Sequence, residues 1–218
     1  MIASILYNTP ELVKPLREQY SDIYLIDGGS DTKIFNCHWR ITKNEYWVGN
    51  WDRMLKDFNR IGIKYVWMVN SDISKGIDAN YYEQAKRLMK DEDLFMLTPS
   101  FNSPHNIFRE GLITDFINYK KADIQETKWI DMCCPIIDVE KYIELGGFDL
   151  QFKGYFADID LCKRARDKGF KMAIDYSHYC EHIGGYTVNK EAKHEQSNMA
   201  DAELLCQKWG VKHYTELL

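Results

Sequence analysis

Tyr65-Val66-Trp67-Met68-Val69 is an almost wholly apolar run, and it ends in the polar residues Asn70-Ser71-Asp72. A strand that is apolar at every position must be covered on both faces, which is typical of a central strand in a parallel sheet. The polar residues that follow it indicate the carboxyl end of the strand, the edge at which open α/β sheets bind ligands. This stretch therefore predicts a fold class and the side of the sheet that carries function.

The segments on both sides of this run alternate between strand patterns and helix patterns. Short apolar runs predict strands, and apolar residues that recur every three or four positions predict helices. The predicted strands cover residues 2–6, 23–26, 38–41, 65–69 and 94–97, and the predicted helices cover 11–20, 51–61 and 81–89. This rhythm is typical of an α/β fold in which helices flank a mostly parallel central sheet.

The pattern changes after Thr98, and the second half of the chain is predicted to be mixed. Residues 101–126 are irregular, and residues 129–138 resemble one or two strands. They are followed by a helix near residue 158, a strand at 172–174, a His-containing loop at 177–187 and a polar C-terminal helix at 191–209. Because no linker, repeat or low-complexity tract divides the sequence, we expect a single domain over residues 1–218.

Composition restricts the classes of function open to the chain. Its 218 residues are 45% hydrophobic, which is enough for one substantial core, and its net charge is -5. Broad binding of nucleic acid or anionic membranes requires a basic face, which an acidic chain lacks. No apolar run reaches membrane-spanning length, and the first one ends at Asn8, too early for a signal peptide. We therefore expect a cytoplasmic protein with reduced cysteines, no membrane span and no nucleic-acid partner.

Two acidic residues in the second half stand near the start of a predicted helix. Gly146-Gly147-Phe148-Asp149 is typical of a turn, and Asp158-Ile159-Asp160-Leu161-Cys162 opens a helix that should end at Gly169. Asp158 is therefore expected at or next to the N-cap. Because an N-cap Asp stabilises a helix by about 1 kcal/mol relative to Ala, capping explains Asp158 as well as a chemical role does. We expect Asp160 to be structural.

Further candidate site residues lie at or near the predicted ends of strands. Asp27 opens the turn Asp27-Gly28-Gly29-Ser30-Asp31, and Asp72 follows the central strand. A role in turn formation explains both, but a carboxylate after a strand can also bind a divalent cation. The chain has no glycine-rich phosphate loop, so binding of a nucleotide diphosphate would require a metal to neutralise the phosphates. His182, equally explained as a surface residue, would then supply a nitrogen ligand beside Asp72.

These pieces, taken in order, resemble the inverting family 2 glycosyltransferases of the GT-A fold over almost the whole chain. Residues 26–31 are similar to the family's first acidic turn, and Val69-Asn70-Ser71-Asp72 is similar to its D-x-D metal motif. The turn at 146–149 and the helix at 158–162 are similar to the segment that carries the general base. His182-Ile183-Gly184-Gly185 is similar to the late histidine loop of the family.

The resemblance implies a GT-A domain whose nucleotide-binding half covers about residues 1–98. Asp27, with Thr9 nearby, is implied to contact the nucleobase of the donor, uracil or thymine. Asn70 and Asp72 occupy the metal motif, and the resemblance implies that Asp72 binds Mn²⁺ or Mg²⁺ on the diphosphate.

The resemblance implies a catalytic and acceptor-binding half over about residues 99–218. There His182 completes the metal site, and Asp158 is the general base for the acceptor hydroxyl. Trp129 and Asp131, at a predicted strand end, are candidates for the donor-sugar or acceptor pocket. An aromatic ring can pack on the apolar face of a sugar, although Trp129 is equally suited to the core.

The sequence departs from the family pattern at two positions. Asn70 replaces the first Asp of D-x-D, but the last acid of that motif, Asp72, is the direct ligand in many members. Ala157 replaces the Glu that usually precedes Asp158, which removes one nearby negative charge. By proximity alone, this loss should leave the pKa of Asp158 lower than in a Glu-Asp pair.

The expected function is inverting transfer of a sugar from UDP or dTDP to a glycan hydroxyl in polysaccharide biosynthesis. The transferred sugar would be glucose, rhamnose or an N-acetylhexosamine. Asn70 and Ala157 motivate an alternative, a non-catalytic module that binds a nucleotide sugar or a glycan. A sugar-nucleotide pyrophosphorylase is a more distant alternative, because Asn8-Thr9-Pro10 follows the first strand in place of a glycine-rich loop.

Overall fold

The computed structural model describes residues 1–75, 80–102, 124–183 and 194–218. Nine strands in these ranges form one sheet. They are β1 (Ile2–Leu6), β2 (Tyr24–Asp27), β3 (Trp39–Arg40), β4 (Tyr65–Met68), β5 (Ile73–Lys75), β6 (Leu94–Asn102), β7 (Ile124–Glu126), β8 (Ile136–Asp138) and β9 (Lys171–His182). The helices are α1 (Val13–Gln19), α2 (Tyr46–Arg60), α3 (Asn80–Asp91), α4 (Val139–Glu144), α5 (Ala157–Asp167) and α6 (His194–Trp209), with 3-10 helices at Pro10–Leu12 and Tyr214–Leu217.

The sheet is mostly parallel, as the sequence predicts. Its strand order is β3-β2-β1-β4-β8-β6-β9-β5, and β7 pairs with β9. The pairs β3-β2, β2-β1, β1-β4 and β6-β9 are parallel, and β8 lies antiparallel between β4 and β6. Six of the nine strands (β1, β2, β3, β4, β6 and β9) therefore run in one direction, while β5, β7 and β8 oppose them. The reversed β7 and β8 give the predicted mixed character to the second half.

The central strand β4 is buried on both faces, which confirms the interpretation of its apolar run. Val66 and Met68 belong to the core cluster that contains Trp51 and Phe58 of α2. Trp67 belongs with Val69 to the opposite cluster, which packs against α1 and α3. Each large side chain buried in this way contributes about 1.5–3 kcal/mol to the hydrophobic driving force. Within the described ranges, no helix is long and apolar enough to cross a membrane.

The last strand, β9, differs from the prediction of a short strand followed by a loop from residue 177. It continues to His182 because it pairs with β6, β7 and β5 along its length. A register shift interrupts its pairing with β6, because Pro99 pairs with Asp175 and Ser100 with Tyr179, and there Asp175 accepts a hydrogen bond from the Ser177 backbone N–H at 2.9 Å. The residues between these two pairs, 176–178, lie within the stretch whose sequence resembles a loop. The remainder of the predicted loop, residues 184–187, lies outside the described residues.

The strand directions bring the predicted site segments to one edge of the sheet. Since β1, β2, β4 and β9 run in the same direction, the chain segments that follow Leu6, Asp27, Met68 and His182 leave from the same edge. This is the carboxyl edge, at which α/β sheets gather their ligands.

Candidate active site

Asp27 terminates β2 and is completely buried. Its Oδ1 accepts a hydrogen bond from the Ser30 N–H at 2.9 Å, and its Oδ2 accepts one from the Ile34 N–H at 3.1 Å. Arg40 Nε lies 3.3 Å from the same Oδ2. The turn-forming role that the sequence left open is therefore present, since this carboxylate holds the loop after β2. Its predicted contact with a nucleobase stays a prediction.

The loop after β1 is joined to the loop after β2 by side-chain hydrogen bonds. The Asn8 N–H donates to Ser30 Oγ at 2.9 Å, and Asn8 Nδ2 donates to Asp31 Oδ2 at 3.1 Å. Thr9, the next residue, is fully buried, and its Oγ1 has no hydrogen-bond partner among the residues that the structure describes. A buried hydroxyl in this condition is uncommon in folded proteins and requires an explanation such as a water or a ligand.

Asp72 and His182 are brought together by the pairing of β5 with the end of β9. Ile73 lies opposite His182 in this antiparallel pair, and the Ile183 N–H donates to the Asp72 carbonyl at 3.0 Å. Asp72 Oδ1 and His182 Nε2 are 3.0 Å apart, and their side chains are only 10% and 12% exposed. Asn70 lies in the turn between β4 and β5, where its backbone N–H donates to the Cys133 carbonyl at 2.9 Å.

The Asp72–His182 pair fits two positions of a divalent-cation site. Adjacent ligands of an octahedral ion lie about 3.0 Å apart when each is about 2.1 Å from the metal. The observed 3.0 Å between Asp72 Oδ1 and His182 Nε2 is a hydrogen-bond distance, and it equals this spacing. Within the part of the chain that the structure describes, no group of three or more His, Cys, Asp or Glu residues could enclose an ion. A metal held by this pair would therefore need further ligands from water or a bound molecule.

Asp158 is the second residue of α5, and Phe156, not Asp158, is the N-cap. Phe156 has a left-handed backbone (φ 62°) and no side-chain capping bond, so the N-cap lies two residues before Asp158 and the expected capping role of Asp158 is wrong. Asp158 Oδ1 accepts from the Ile159 N–H at 2.9 Å, and its Oδ2 accepts from Trp129 Nε1–H at 3.3 Å. Gly169 follows the helix with φ 81°, as its predicted stop position requires.

The surroundings of Asp158 raise its pKa. Burial, and after it the negative charge of Asp131, raise the pKa of this carboxyl to about 7, against the opposing hydrogen bonds from Ile159 and Trp129. A carboxyl with a pKa near the working pH is suited to accept and release protons. The acidic neighbour that Ala157 fails to supply is therefore replaced by Asp131, from the turn before β8.

A cysteine that the sequence did not distinguish connects the two parts of the site. Cys133 Sγ donates a hydrogen bond to Asp131 Oδ1 at 3.0 Å and lies 3.3 Å from His182 Nδ1. The sequence signal would have been the Asp131-x-Cys133 spacing in a turn, which is too common to select a site. Trp129 and Asp131 also line a small cleft, whose other walls are Thr98, Pro99, Ser100, Phe101, Ile130 and Ile174.

Helix α6 fixes α5, the helix that carries Asp158, in place. The buried Asp201 carboxylate accepts from the backbone N–H groups of residues 153–155, at 3.0–3.3 Å, directly before the strained Phe156. Asp160 is fully buried and accepts from Arg164 Nε at 2.9 Å and from Trp209 Nε1 at 3.0 Å. Asp160 is therefore a structural residue, as its sequence position led us to expect.

Comparison with known proteins establishes the fold and not the family. No protein-family model and no curated protein matches this chain. Among solved structures, GalNAc-T7 with UDP, GalNAc and Mn²⁺ has a TM-score of 0.59 and 12% identity, covering 83% of this chain and 43% of its own. Residues 1–349 of TarS from S. aureus have a TM-score of 0.57 and 12% identity, covering 97% of this chain and 72% of their own. The predicted GT-A fold class is confirmed, and this chain spans less than half of the GalNAc-T7 chain.

Proposed function

We propose that this protein is an inverting glycosyltransferase that moves a sugar from a nucleotide-diphosphate donor to a hydroxyl of a glycan. The observation that carries the proposal is a series of contacts: the Asp72–His182 pair contacts Cys133, Cys133 contacts Asp131, and the charge of Asp131 acts on the Asp158 carboxyl, whose pKa is about 7. A structure of the same fold, GalNAc-T7, holds UDP, GalNAc and Mn²⁺, which supports the donor chemistry.

Asp72 and His182 are the proposed ligands of Mn²⁺ or Mg²⁺. A cation at this position would neutralise the charge that develops on the diphosphate leaving group. Such ions are commonly held by one or two protein ligands together with phosphate oxygens and water, which agrees with the two side chains present here. Asn70, in the turn that precedes Asp72, is proposed to line the diphosphate side of the same site.

Asp158 is the proposed general base. It would take the proton from the acceptor hydroxyl while that oxygen attacks the anomeric carbon on the face opposite the diphosphate. The Ile159 N–H and the Trp129 indole each hold one carboxylate oxygen, which fixes the direction of the remaining lone pairs. A positioned base of this kind contributes a factor of about 10²–10⁴ to the rate.

The remaining predicted contacts complete the proposal. Thr9, whose hydroxyl lacks a described partner, and Asp27, which shapes the adjoining loop, would form the site for uracil or thymine. Trp129 and Asp131, in the cleft beside Asp158, would contact the donor sugar or the acceptor.

The proposal extends to the organisation of the chain and its compartment. Residues 1–98 would bind the nucleotide and residues 99–218 the acceptor, within one domain. All six cysteines are free thiols, which supports a reducing compartment such as the cytoplasm and a role in polysaccharide assembly there.

Replacement of the base separates catalysis from binding. We expect Asp158→Asn to lower transfer by about 10²–10⁴-fold, because only the proton acceptor is lost. Thermal stabilisation by UDP with Mn²⁺ should persist in this variant. Asp167→Asn is the matched control, since it makes the same change at an exposed position of the same helix. Transfer at a near-wild-type rate by Asp158→Asn would remove Asp158 from the mechanism.

A non-catalytic nucleotide-sugar or glycan-binding module is the second candidate, favoured by the neutral Asn70 in the predicted metal motif. A thermal-shift panel of UDP-, dTDP- and GDP-sugars with Mn²⁺ identifies the donor in either case. A ligand at 100 times its Kd stabilises the fold by about 2.7 kcal/mol. Donor hydrolysis or transfer by the wild-type protein supports the enzyme, whereas binding without turnover supports the module.

A further inference from the structure

Cys134 and Cys180 are two buried thiols that contact each other next to the candidate site. Their Sγ atoms are 3.0 Å apart, and each residue is only 1% exposed. Cys134 lies in the turn before β8 and Cys180 lies in β9, so the contact joins residues that are 46 positions apart in the sequence. Thr98 Oγ1, from β6, lies 3.9 Å from Cys134 Sγ. The proposed transfer reaction uses neither thiol.

Strand pairing holds the two sulfur atoms close together. Cys180 lies opposite Phe101 in the parallel pair of β9 with β6, and β6 also pairs with β8. Cys134 lies two residues before β8, and its carbonyl accepts a hydrogen bond from Trp67 Nε1 at 3.0 Å, which fixes the backbone there. A disulfide bond is about 2.05 Å long, so the sulfurs would have to approach each other by only about 1 Å. The fold therefore supplies the proximity that a disulfide requires.

We propose that Cys134 and Cys180 form a disulfide within the native fold when the protein is exposed to hydrogen peroxide. One sulfur attacks a peroxide oxygen and becomes a sulfenic acid, while the other oxygen takes up the thiol proton and leaves as water. The second sulfur then displaces the hydroxyl group, which leaves as water with the second thiol proton, and the S–S bond forms. The two thiols lose two electrons, and the peroxide is reduced to two molecules of water. Free thiols, as in this structure, are the resting form of the pair in a reducing compartment.

The disulfide would join two segments that carry candidate site residues. Cys180 lies two residues before His182, and Cys134 follows Cys133, which contacts both Asp131 and His182. The bond would link positions 46 residues apart and so restrict the unfolded chain, an effect that grows with the length of the closed loop. Because the strands need not rearrange, we expect oxidation to raise the melting temperature by on the order of 10 °C in a chain of this size.

The first measurement locates the disulfide by mass spectrometry. The folded protein is incubated with hydrogen peroxide, denatured in an alkylating agent that blocks the remaining thiols, and digested. We expect a pair of peptides joined through Cys134 and Cys180, which separates after reduction. Denatured protein treated in the same way is the control, and it should give a mixture of pairings. Absence of the Cys134–Cys180 pair after prolonged incubation of the folded protein, or a link through Cys133 in its place, would overturn the proposal.

The second measurement is the melting temperature of the oxidised protein, with and without a thiol reductant. We expect the reductant-sensitive rise in the wild type to be absent from Cys134→Ala and from Cys180→Ala. Cys162→Ala is the matched control, because it removes a different buried thiol, and it should keep the rise. A wild-type melting temperature that does not rise on oxidation, or a rise that persists in both alanine variants, would overturn the proposal.

If an alanine variant does not fold, the peptide pair and the reductant-sensitive melting temperature of the wild type still decide the question. Both are measured without a donor sugar, an acceptor or a metal ion. Failure of this proposal is therefore distinguishable from failure of the proposed sugar transfer.

Discussion

Asp27 and Asp158 are both predicted site acids, and the structure gives them opposite surroundings. Asp27 accepts two backbone N–H bonds and has the guanidinium of Arg40 beside it. Asp158 accepts one backbone and one indole hydrogen bond, and it is repelled by a second carboxylate, that of Asp131. Asp27 is therefore held by two backbone donors and one guanidinium, whereas the ionised form of Asp158 is opposed by burial and like charge. The first arrangement holds a loop, and the second keeps a proton acceptor near neutrality.

The largest stability effect is expected at Asp27. Asp27→Ala removes the acceptor of two buried backbone N–H groups, those of Ser30 and Ile34. Because each of the two orphaned donors costs about 1–3 kcal/mol, we expect the free energy of unfolding to fall by about 2–6 kcal/mol. Urea denaturation measures this change. Asp22→Ala, at an exposed position, is the control and should remain within about 0.5 kcal/mol of the wild type. A loss below about 1 kcal/mol for Asp27→Ala would contradict the loop-holding role.

Asp158 should have the opposite effect on stability. Its folded pKa of about 7 is above the ordinary Asp value of about 3.9, so the folded state binds more protons between these pH values. The contribution of the Asp158 carboxyl to the free energy of unfolding is therefore greatest below about pH 4, and it is lost as the pH rises through about 7. Asp158→Asn cannot ionise, and we expect it to exceed the wild type by on the order of 2 kcal/mol at pH 8.

Urea denaturation of Asp158→Asn and wild type at several pH values tests this sign. The advantage of the variant should shrink as the pH is lowered from about 7 and vanish below the ordinary Asp pKa of about 3.9, where the wild-type carboxyl is protonated in the folded and the unfolded state. Asp167→Asn should give no such pH-dependent gain. A variant less stable than the wild type at pH 8 would mean that the Asp158 carboxylate is not opposed by its surroundings.

Sequence reasoning was sufficient for the elements whose signal is local. The apolar run of β4 reports its burial on both faces, since a strand covered on both sides leaves no polar position. The length of β9 was missed because it depends on three partner strands distant in sequence. The N-cap position was misplaced because Phe156 adopts a left-handed backbone that its residue type does not favour.

The residues of the candidate site also include some that the sequence predicts and some that only the fold brings together. Asp72, Asp158 and His182 are each explained equally well by a turn, a cap or a surface position, and only the order of the motifs along the chain selects them together. The structure places Asp72 against His182. The role of Asp131 in raising the pKa of Asp158 was not predictable, because the two residues come from different segments and meet only in the fold. Cys133 was missed because a buried thiol has the same sequence appearance whether it fills a core or contacts a histidine.

Removal of the Asp131 charge tests whether like charge is what distinguishes Asp158 from Asp27. Asp131→Asn abolishes the like charge that raises the pKa of Asp158, so the acidic limb of the pH–rate profile should move to lower pH. With a pKa of about 7, roughly one tenth of the wild-type base is ionised at pH 6. The variant should therefore retain a several-fold larger share of its pH 8 activity at pH 6. Since Asp131 also lines the cleft, this ratio, and not the absolute kcat/KM, is the measurement. If the acidic limb of the pH–rate profile stays at the same pH in Asp131→Asn, the charge of Asp131 does not raise the pKa of Asp158.

The smallest effect is expected at Trp129, and its direction is opposite. Trp129→Phe keeps an aromatic ring but loses the 3.3 Å indole bond that favours ionised Asp158, so the acidic limb should move to higher pH. A single long hydrogen bond is worth about 0.5–1.5 kcal/mol, so kcat/KM at pH 7 should fall only a few-fold. Trp209→Phe is the matched control, because its indole donates to the structural Asp160. We expect Trp209→Phe to lower the free energy of unfolding and to leave the pH of the acidic limb unchanged. A limb that moves equally in both tryptophan variants would show that the fold, and not the Trp129 hydrogen bond, sets the proton affinity of Asp158.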